Sequence, residues 1–246
     1  MPNMQKTPGS AIVLCLLCIA AVALAAEMPT GNELKVYGWS ADEKYWAFGE
    51  SGDYSGGAIG GIEIRRFIID SVKNEFYKKK EQNLTEAAGY MDEDIIRAKA
   101  REFENGFQAG LDALGFNNLM GCEVYKKPPA VFVDHDMNIR QFGEKTITFK
   151  LDADSYEIKL EDRFSEKDGE PWWTQSGFSV SIRKNNGPWK VLQADKTLWR
   201  HFFQYRIVYV SVSPSKTKIA IVVEAVQTGF EASKVVYYKG ITGTMP

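Results

Sequence analysis

Hydrophobic positions along this chain fall mostly into period-2 stretches, interrupted once by a helical period. In "GWSADEKYWAFGESG" (38–52), Trp46 and Phe48 alternate with Ala47 and Gly49, the repeat of a strand with two distinct faces. "SGDYSGGAIGG" (51–61) reads as a glycine-rich loop, and "IEIRRFIID" (62–70) as the next strand. The period then changes. Ile96, Ala100, Phe103, Phe107, Leu111 and Leu114 share one helical face, Asp92 is placed to cap its start, and Gly115 stands where a left-handed C-cap belongs. The helical excursion spans about 84–115, with a short helical turn expected at 84–90. Gly106 and Gly110, one turn apart, lower its intrinsic helicity and permit close approach of a neighbour. After it the chain returns to strands. "KTITFKL" (145–151) and "YEIKL" (156–160) mirror each other across Asp152-Ala153-Asp154-Ser155, and "GFSVSIR" (177–183) and "WKVL" (189–192) flank the turn Asn185-Asn186-Gly187-Pro188. "YRIVYVSV" (205–212), "KIAIVVEA" (218–225) and "KVVYY" (234–238) complete the set. The pattern predicts a mainly β fold of antiparallel sheets, as a sandwich or an incomplete propeller-like arrangement, with one long α-helix inserted.

A weak repeat underlies the strands. Residues 36–70 lie on residues 209–243 without a gap: Ser40 meets Ser213, Ala47 meets Ala220, Gly56 meets Gly229 and Ile68 meets Ile241. Ser40 and Ser213 are each placed to cap a turn through the side chain. On these residues, "WSADEKYWAF" (39–48) and "VSPSKTKIAI" (212–221) resemble the "SPDG-x-x-IAF" hairpin of TolB-type propeller repeats. The layout also resembles a family of bacterial predicted secreted proteins with no assigned function, whose "SP-x-x-x-x-IAVVV…GFEG" block is similar to residues 213–231. The resemblance implies a structural role for these motifs. Ala41 and Glu43 stand where the first hairpin's Pro and Gly would be, and Ser215 and Lys216 where the second's Asp and Gly would be. Neither turn thus carries the residue best suited to positive φ. A closed propeller needs several blades of about 40–45 residues. The intervening helix and unrelated hairpins argue against one.

The N-terminus changes the picture further. Lys6 precedes the apolar run "AIVLCLLCIAAVALA" (11–25), which ends in Ala23-Leu24-Ala25 before Glu27. Charge, length and small-x-small ending predict a cleaved signal peptide over 1–25, followed by a single β-rich secreted domain over 26–246. A membrane anchor needs about 20 apolar residues. A lipoprotein would require a small residue before Cys15 or Cys18, where Leu14 and Leu17 stand. Removal of the leader leaves Cys122, so no intramolecular disulfide is available and a buried thiol is the ordinary expectation. At 44% hydrophobic and 13% aromatic, the chain has material for one sizeable core. Its formal net charge of −2, without a long basic run, excludes nucleic-acid binding as the expected role.

Candidate chemistry is sparse. Asp134-His135-Asp136 resembles a site for acid–base work or calcium, but His201 and Cys122 are the only further soft ligands after cleavage, so no metal site is assigned. Asp152-Ala153-Asp154 and "EDRFSEKDGE" (161–170) read as solvated loops. The glycine loop lacks the Gly-Lys-Ser/Thr of a phosphate cradle. Trp172 and Trp173, after Glu170-Pro171, and Tyr54 in the glycine loop are the candidate binding residues. No catalytic residue and no cofactor is expected. The leading expectation is an exported protein, periplasmic or extracellular. It would serve as a non-catalytic binding or accessory module of the cell envelope, meeting an envelope protein or a polysaccharide. Two alternatives stand beside it: a secreted hydrolase built on residues 134–136 with His201 or Glu161, and a carbohydrate-binding protein using exposed tryptophans.

Overall fold

A computed structural model describes residues 33–53, 62–84, 92–119, 121–128, 145–165, 175–200, 202–228 and 234–246. The chain is mainly β, with antiparallel sheets and a single helix among the described residues. The strands are β1 (Glu33–Ser40), β2 (Tyr45–Asp53), β3 (Ile62–Asp70) and β4 (Glu75–Asn83), then helix α1 (Glu93–Asp112). After it come β5 (Phe116–Leu119), β6 (Cys122–Lys126), β7 (Thr146–Leu151), β8 (Asp154–Ser165) and β9 (Gln175–Lys184). The chain closes with β10 (Lys190–Ala194), β11 (Trp199–Arg200), β12 (Phe202–Val212), β13 (Lys218–Thr228) and β14 (Lys234–Thr244). The first sheet runs β4-β3-β2-β1-β5, the second β14-β13-β12-β6, and the third β10-β9-β8-β7 with β11 also on β9.

These sheets stack because of where their apolar residues point. In β13, Ile219, Ile221, Val223 and Ala225 pack on the third sheet against Ile158, Val180 and Ile182. Ala220 and Val222 face the other way, onto Trp39, Trp46 and Phe48 of the first sheet. Burial on both faces explains why β13 reads as a near-continuous apolar run. The outer face of the first sheet, with Tyr45, Ala47 and Ile68, receives Phe107 and Leu111 of the helix. The order is third sheet, second sheet, first sheet, helix.

The helix forms as its caps dictate. Asp92 accepts from the N–H groups of Asp94 (3.0 Å) and Ile95 (3.3 Å), and Gly115 turns the chain at φ +74°. Arg66, almost fully buried on β3, fastens it: its guanidinium reaches Glu104 of the helix and donates to the Glu50 carbonyl at 2.8 Å. Gly49 makes this possible, because a Cβ there would stand 2.3 Å from the Arg66 Cδ. Gly106 faces the Lys80 ammonium, but a Cβ there would lie 3.4 Å from it, an ordinary contact that a side chain would permit.

The weak repeat is a structural one. In both hairpins the serine hydroxyl accepts from the N–H five residues on, Ser40 from Tyr45 at 2.9 Å and Ser213 from Lys218 at 3.2 Å. Both turns close with the same backbone bond, Glu43 N–H to the Ser40 carbonyl and Lys216 N–H to the Ser213 carbonyl, each 2.8 Å. Glu43 (φ 55°) and Lys216 (φ 61°) both hold the left-handed conformation that glycine would favour. The third strand follows in each copy, β3 after β2 and β14 after β13.

Three expectations are corrected, on the loops at 51–61 and 161–170 and on Cys122, and three strands form where the sequence analysis assigned no element. Residues 75–83, with no alternation and a lysine run, form β4, because an edge strand needs only β3's backbone. Residues 116–119 and 122–126 form β5 and β6, too short to show a period. Residues 51–53 extend β2, and 161–165 extend β8 along β9, so the loops read there begin later. Cys122 is exposed, because β6 is the outer strand of the second sheet. The helical turn expected at 84–90 lies, beyond Leu84, outside the described residues.

Candidate functional site

The second sheet ends at β14, and the first and third sheets continue past that edge. Between them lies a cavity of about 230 Å³, lined by Asn74 and Phe76 from the first sheet, Phe178, Gln193 and Asp195 from the third, and Tyr205, Lys239, Gly240 and Ile241 from the second. Its floor is the edge of β14. An open sheet edge presents unpaired backbone groups, and here side chains take them. The Tyr238 N–H donates to Glu50 Oε2 at 2.7 Å, and the Thr242 N–H donates to Asn74 Oδ1 at 2.7 Å. Gly240 lies midway, so by strand alternation its N–H and C=O turn outward toward the cavity. A side chain at Gly240 is barred from the opposite face, where a Cβ would come 2.4 Å from Phe48 Cε1.

Asn74 closes one end. Held at φ 55°, a conformation that asparagine tolerates better than most residues, it donates from Nδ2 to Gln193 Oε1 at 2.9 Å. One side chain thereby ties the first sheet to both others. Asp195 is fixed by two donors, the Phe178 N–H on Oδ2 (3.2 Å) and Gln193 Nε2 on Oδ1 (3.1 Å). Each oxygen keeps a further lone pair. The Tyr205 hydroxyl and Ser176 Oγ share a hydrogen bond of 2.9 Å, and burial pushes the Tyr205 hydroxyl up to about 12.

Lys239 carries the positive charge of the site. Burial pushes its ammonium below the ordinary lysine range, and the carboxylates of Glu50 and Asp195 counter that push. Burial likewise raises Glu50, against the Tyr238 N–H bond and the Arg65 charge. Among the described residues, the lining thus combines a lysine from the floor, an aspartate from a wall, and the rings of Phe76 and Phe178. Phe76 stands 56% exposed at the rim. A concave site lined by rings with a few polar groups has the chemistry to hold a small amphipathic molecule.

Sequence reasoning missed this site. Its residues come from segments 74–76, 178, 193–195, 205 and 239–241, and no local motif joins them. The one available signal is Lys239, a lysine inside the apolar run "KVVYYKGI". Of the residues singled out in the sequence, Trp172, Trp173, Tyr54, Asp134, His135, Asp136 and His201 lie outside the described residues. Glu161 pairs with Lys159 at 2.6 Å on the exposed face of β8. Asp152 pairs with Lys216 and Asp154 with Lys184, each at 2.7 Å, an ion-paired turn. Trp189 lies under the Arg183 guanidinium, 4.6 Å from its ring centre. No group of three or more His, Cys, Asp or Glu able to hold a metal ion occurs among the described residues, and no helix there is long and apolar enough to cross a membrane. Compared with known protein families, with curated proteins and with solved structures, the chain matches none.

Proposed function

We propose that this protein is an exported, non-catalytic binding module of the cell envelope that takes a small ligand in the cleft beside β14. The observation that carries the binding role is the cleft itself. Its polar groups come from three sheets and are locked by bonds such as Asn74–Thr242 and Asp195–Phe178, so it is shaped before any ligand arrives. The export half of the reading rests on the apolar run at 11–25 and its Ala-Leu-Ala ending.

Two measurements test it. Expression in a bacterial host followed by fractionation and intact mass should give a periplasmic species beginning at residue 26; a chain retained in the cytoplasm with residues 1–25 attached would refute export. A thermal-shift screen of small metabolites should find compounds that raise Tm, since a ligand held by the native state alone stabilises it by RT ln(1 + [L]/Kd). Substituting Phe76→Ala at the rim should reduce that rise. A screen with no stabilising compound, or shifts unaffected by changes in the cleft, would refute the site.

A further inference from the structure

We infer that the cleft beside β14 takes one extended peptide residue, an N-acylated amino-acid amide with an apolar side chain, paired with the backbone of Gly240. The inference rests on the small-ligand reading above and adds the ligand's class.

The open edge of β14 carries it. The Met245 N–H donates to the Thr217 carbonyl at 2.8 Å, on the β13 side, whereas the N–H groups of Tyr238 and Thr242 face away from β13, to Glu50 and Asn74. Alternation therefore turns both the N–H and the C=O of Gly240 away from β13, at the floor of the cavity. No described residue bonds them. The next outward N–H on either side is already capped, so the stretch left open is one residue long. A donor and an acceptor on one extended residue are the complement of the same two groups on another. The ligand's C=O takes the Gly240 N–H and its N–H goes to the Gly240 C=O, the bonded pair of an antiparallel ladder with Cα atoms about 5.5 Å apart. Neither group is charged. The pairing thus asks nothing of Lys239, which is engaged within the chain and faces the carboxylates of Glu50 and Asp195. Size agrees. An apolar cavity of about 150 Å³ holds a benzene ring, so about 230 Å³ with an open mouth has room for one residue whose flanking groups reach the mouth. Phe76 and Phe178 line the same cavity and supply the apolar wall for its side chain.

The alternative is that Gly240 meets only water and the cleft takes its ligands without backbone pairing. Calorimetry and amide exchange separate the two. The probes are N-acetyl-L-leucinamide and its ester analogue, in which an oxygen replaces the leucine N–H. The ester keeps the shape and the carbonyls but loses the donor for the Gly240 C=O, so it should bind about tenfold more weakly. In the free protein the Gly240 amide should exchange faster than those of Lys239 and Ile241, whose N–H groups face β13 by the same alternation. Saturating N-acetyl-L-leucinamide should slow exchange at Gly240 well beyond any change at Thr242. Equal affinity for amide and ester, or binding of the amide without slowing at Gly240, would overturn the peptide-residue assignment and leave the small-ligand reading standing. Failure of both probes, with other compounds binding in the thermal-shift screen, would overturn the assignment alone. Failure of both probes and of the whole screen would overturn both.

Discussion

Glu43 and Lys216 show how a turn survives the loss of its glycine. Both hold positive φ at corresponding places in the repeat, a conformation that costs a non-glycine residue about 1–2 kcal/mol. Their side chains differ in what they return. Glu43 accepts from the Ser215 N–H (2.7 Å) and hydroxyl (2.5 Å), binding the first turn to the second, whereas Lys216 makes an exposed pair with Asp152. Exposed pairs contribute little. Lys216→Gly is therefore expected to stabilise the protein by about 0.5–1 kcal/mol after the added freedom of the unfolded chain is counted. Glu43→Gly, which relieves the same strain but removes two cross-turn bonds, should give no gain. Urea unfolding of the two variants checks the contrast, and equal stabilisation by both would show that the bonds between turns contribute nothing.

At the scale of elements, a partly buried ion pair, Arg66 with Glu104, adds to the apolar packing that docks the helix. Burial by itself would raise the Glu104 carboxyl, but the bond and charge of Arg66, the Tyr37 hydroxyl (2.7 Å) and the Lys35 charge together hold it below 4.5. A carboxyl whose pKa is lower in the folded state contributes stability above its unfolded value and loses it as pH falls through the folded one. Docking of the helix should thus weaken below pH 4.5, and Glu104→Gln should flatten that part of the stability curve. The same change leaves the Arg66 charge without its partner, at a cost of about 3 kcal/mol at neutral pH. Circular dichroism melts between pH 3 and 7 would read both effects. An unchanged acid limb in the variant would place the acid sensitivity elsewhere.

For the whole molecule, directed bonds between the sheets supplement their apolar packing. Apolar packing joins the layers face to face, but Asn74 reaches both the second and the third sheet from the first by directed bonds. Asn74→Ala leaves the N–H of the buried Thr242 without its acceptor, at about 1–3 kcal/mol, and puts alanine at positive φ. Asn74→Gly removes the strain but not the lost bonds. Both variants should melt earlier than the parent, the alanine more so, and amide exchange at Thr242 should accelerate in each. A glycine variant as stable as the parent would mean that the tie is incidental.

Much of the secondary structure was legible because its causes are local. The alternation around Trp46 and Phe48, the Asp92 cap, the turn at 185–188 and the serine-capped hairpins depend on residues close in sequence. Strand β3 accordingly runs over residues 62–70, as its pattern predicts, and the apolar face from Ile96 to Leu111 forms the helix. Strand β4 escaped because its pairing is a backbone matter and its side chains carry charge. The paired stretch of β8 past Leu160 escaped because Glu161, Asp162 and Arg163 read as loop until β9 lies beside them. Of the cleft, only Lys239 left a trace in the sequence, as a lysine inside an apolar run. The cleft itself comes from the stacking of three sheets, which brings a strand edge, a turn and the end of another strand to one place. By itself the sequence determined the strands with alternating or apolar runs, the capped helix and the repeated turn, through periodicity and local hydrogen bonding. Only the tertiary structure decided which edge stayed open and which charges were drawn out of water beside it, because burial and long-range pairing depend on how the layers pack.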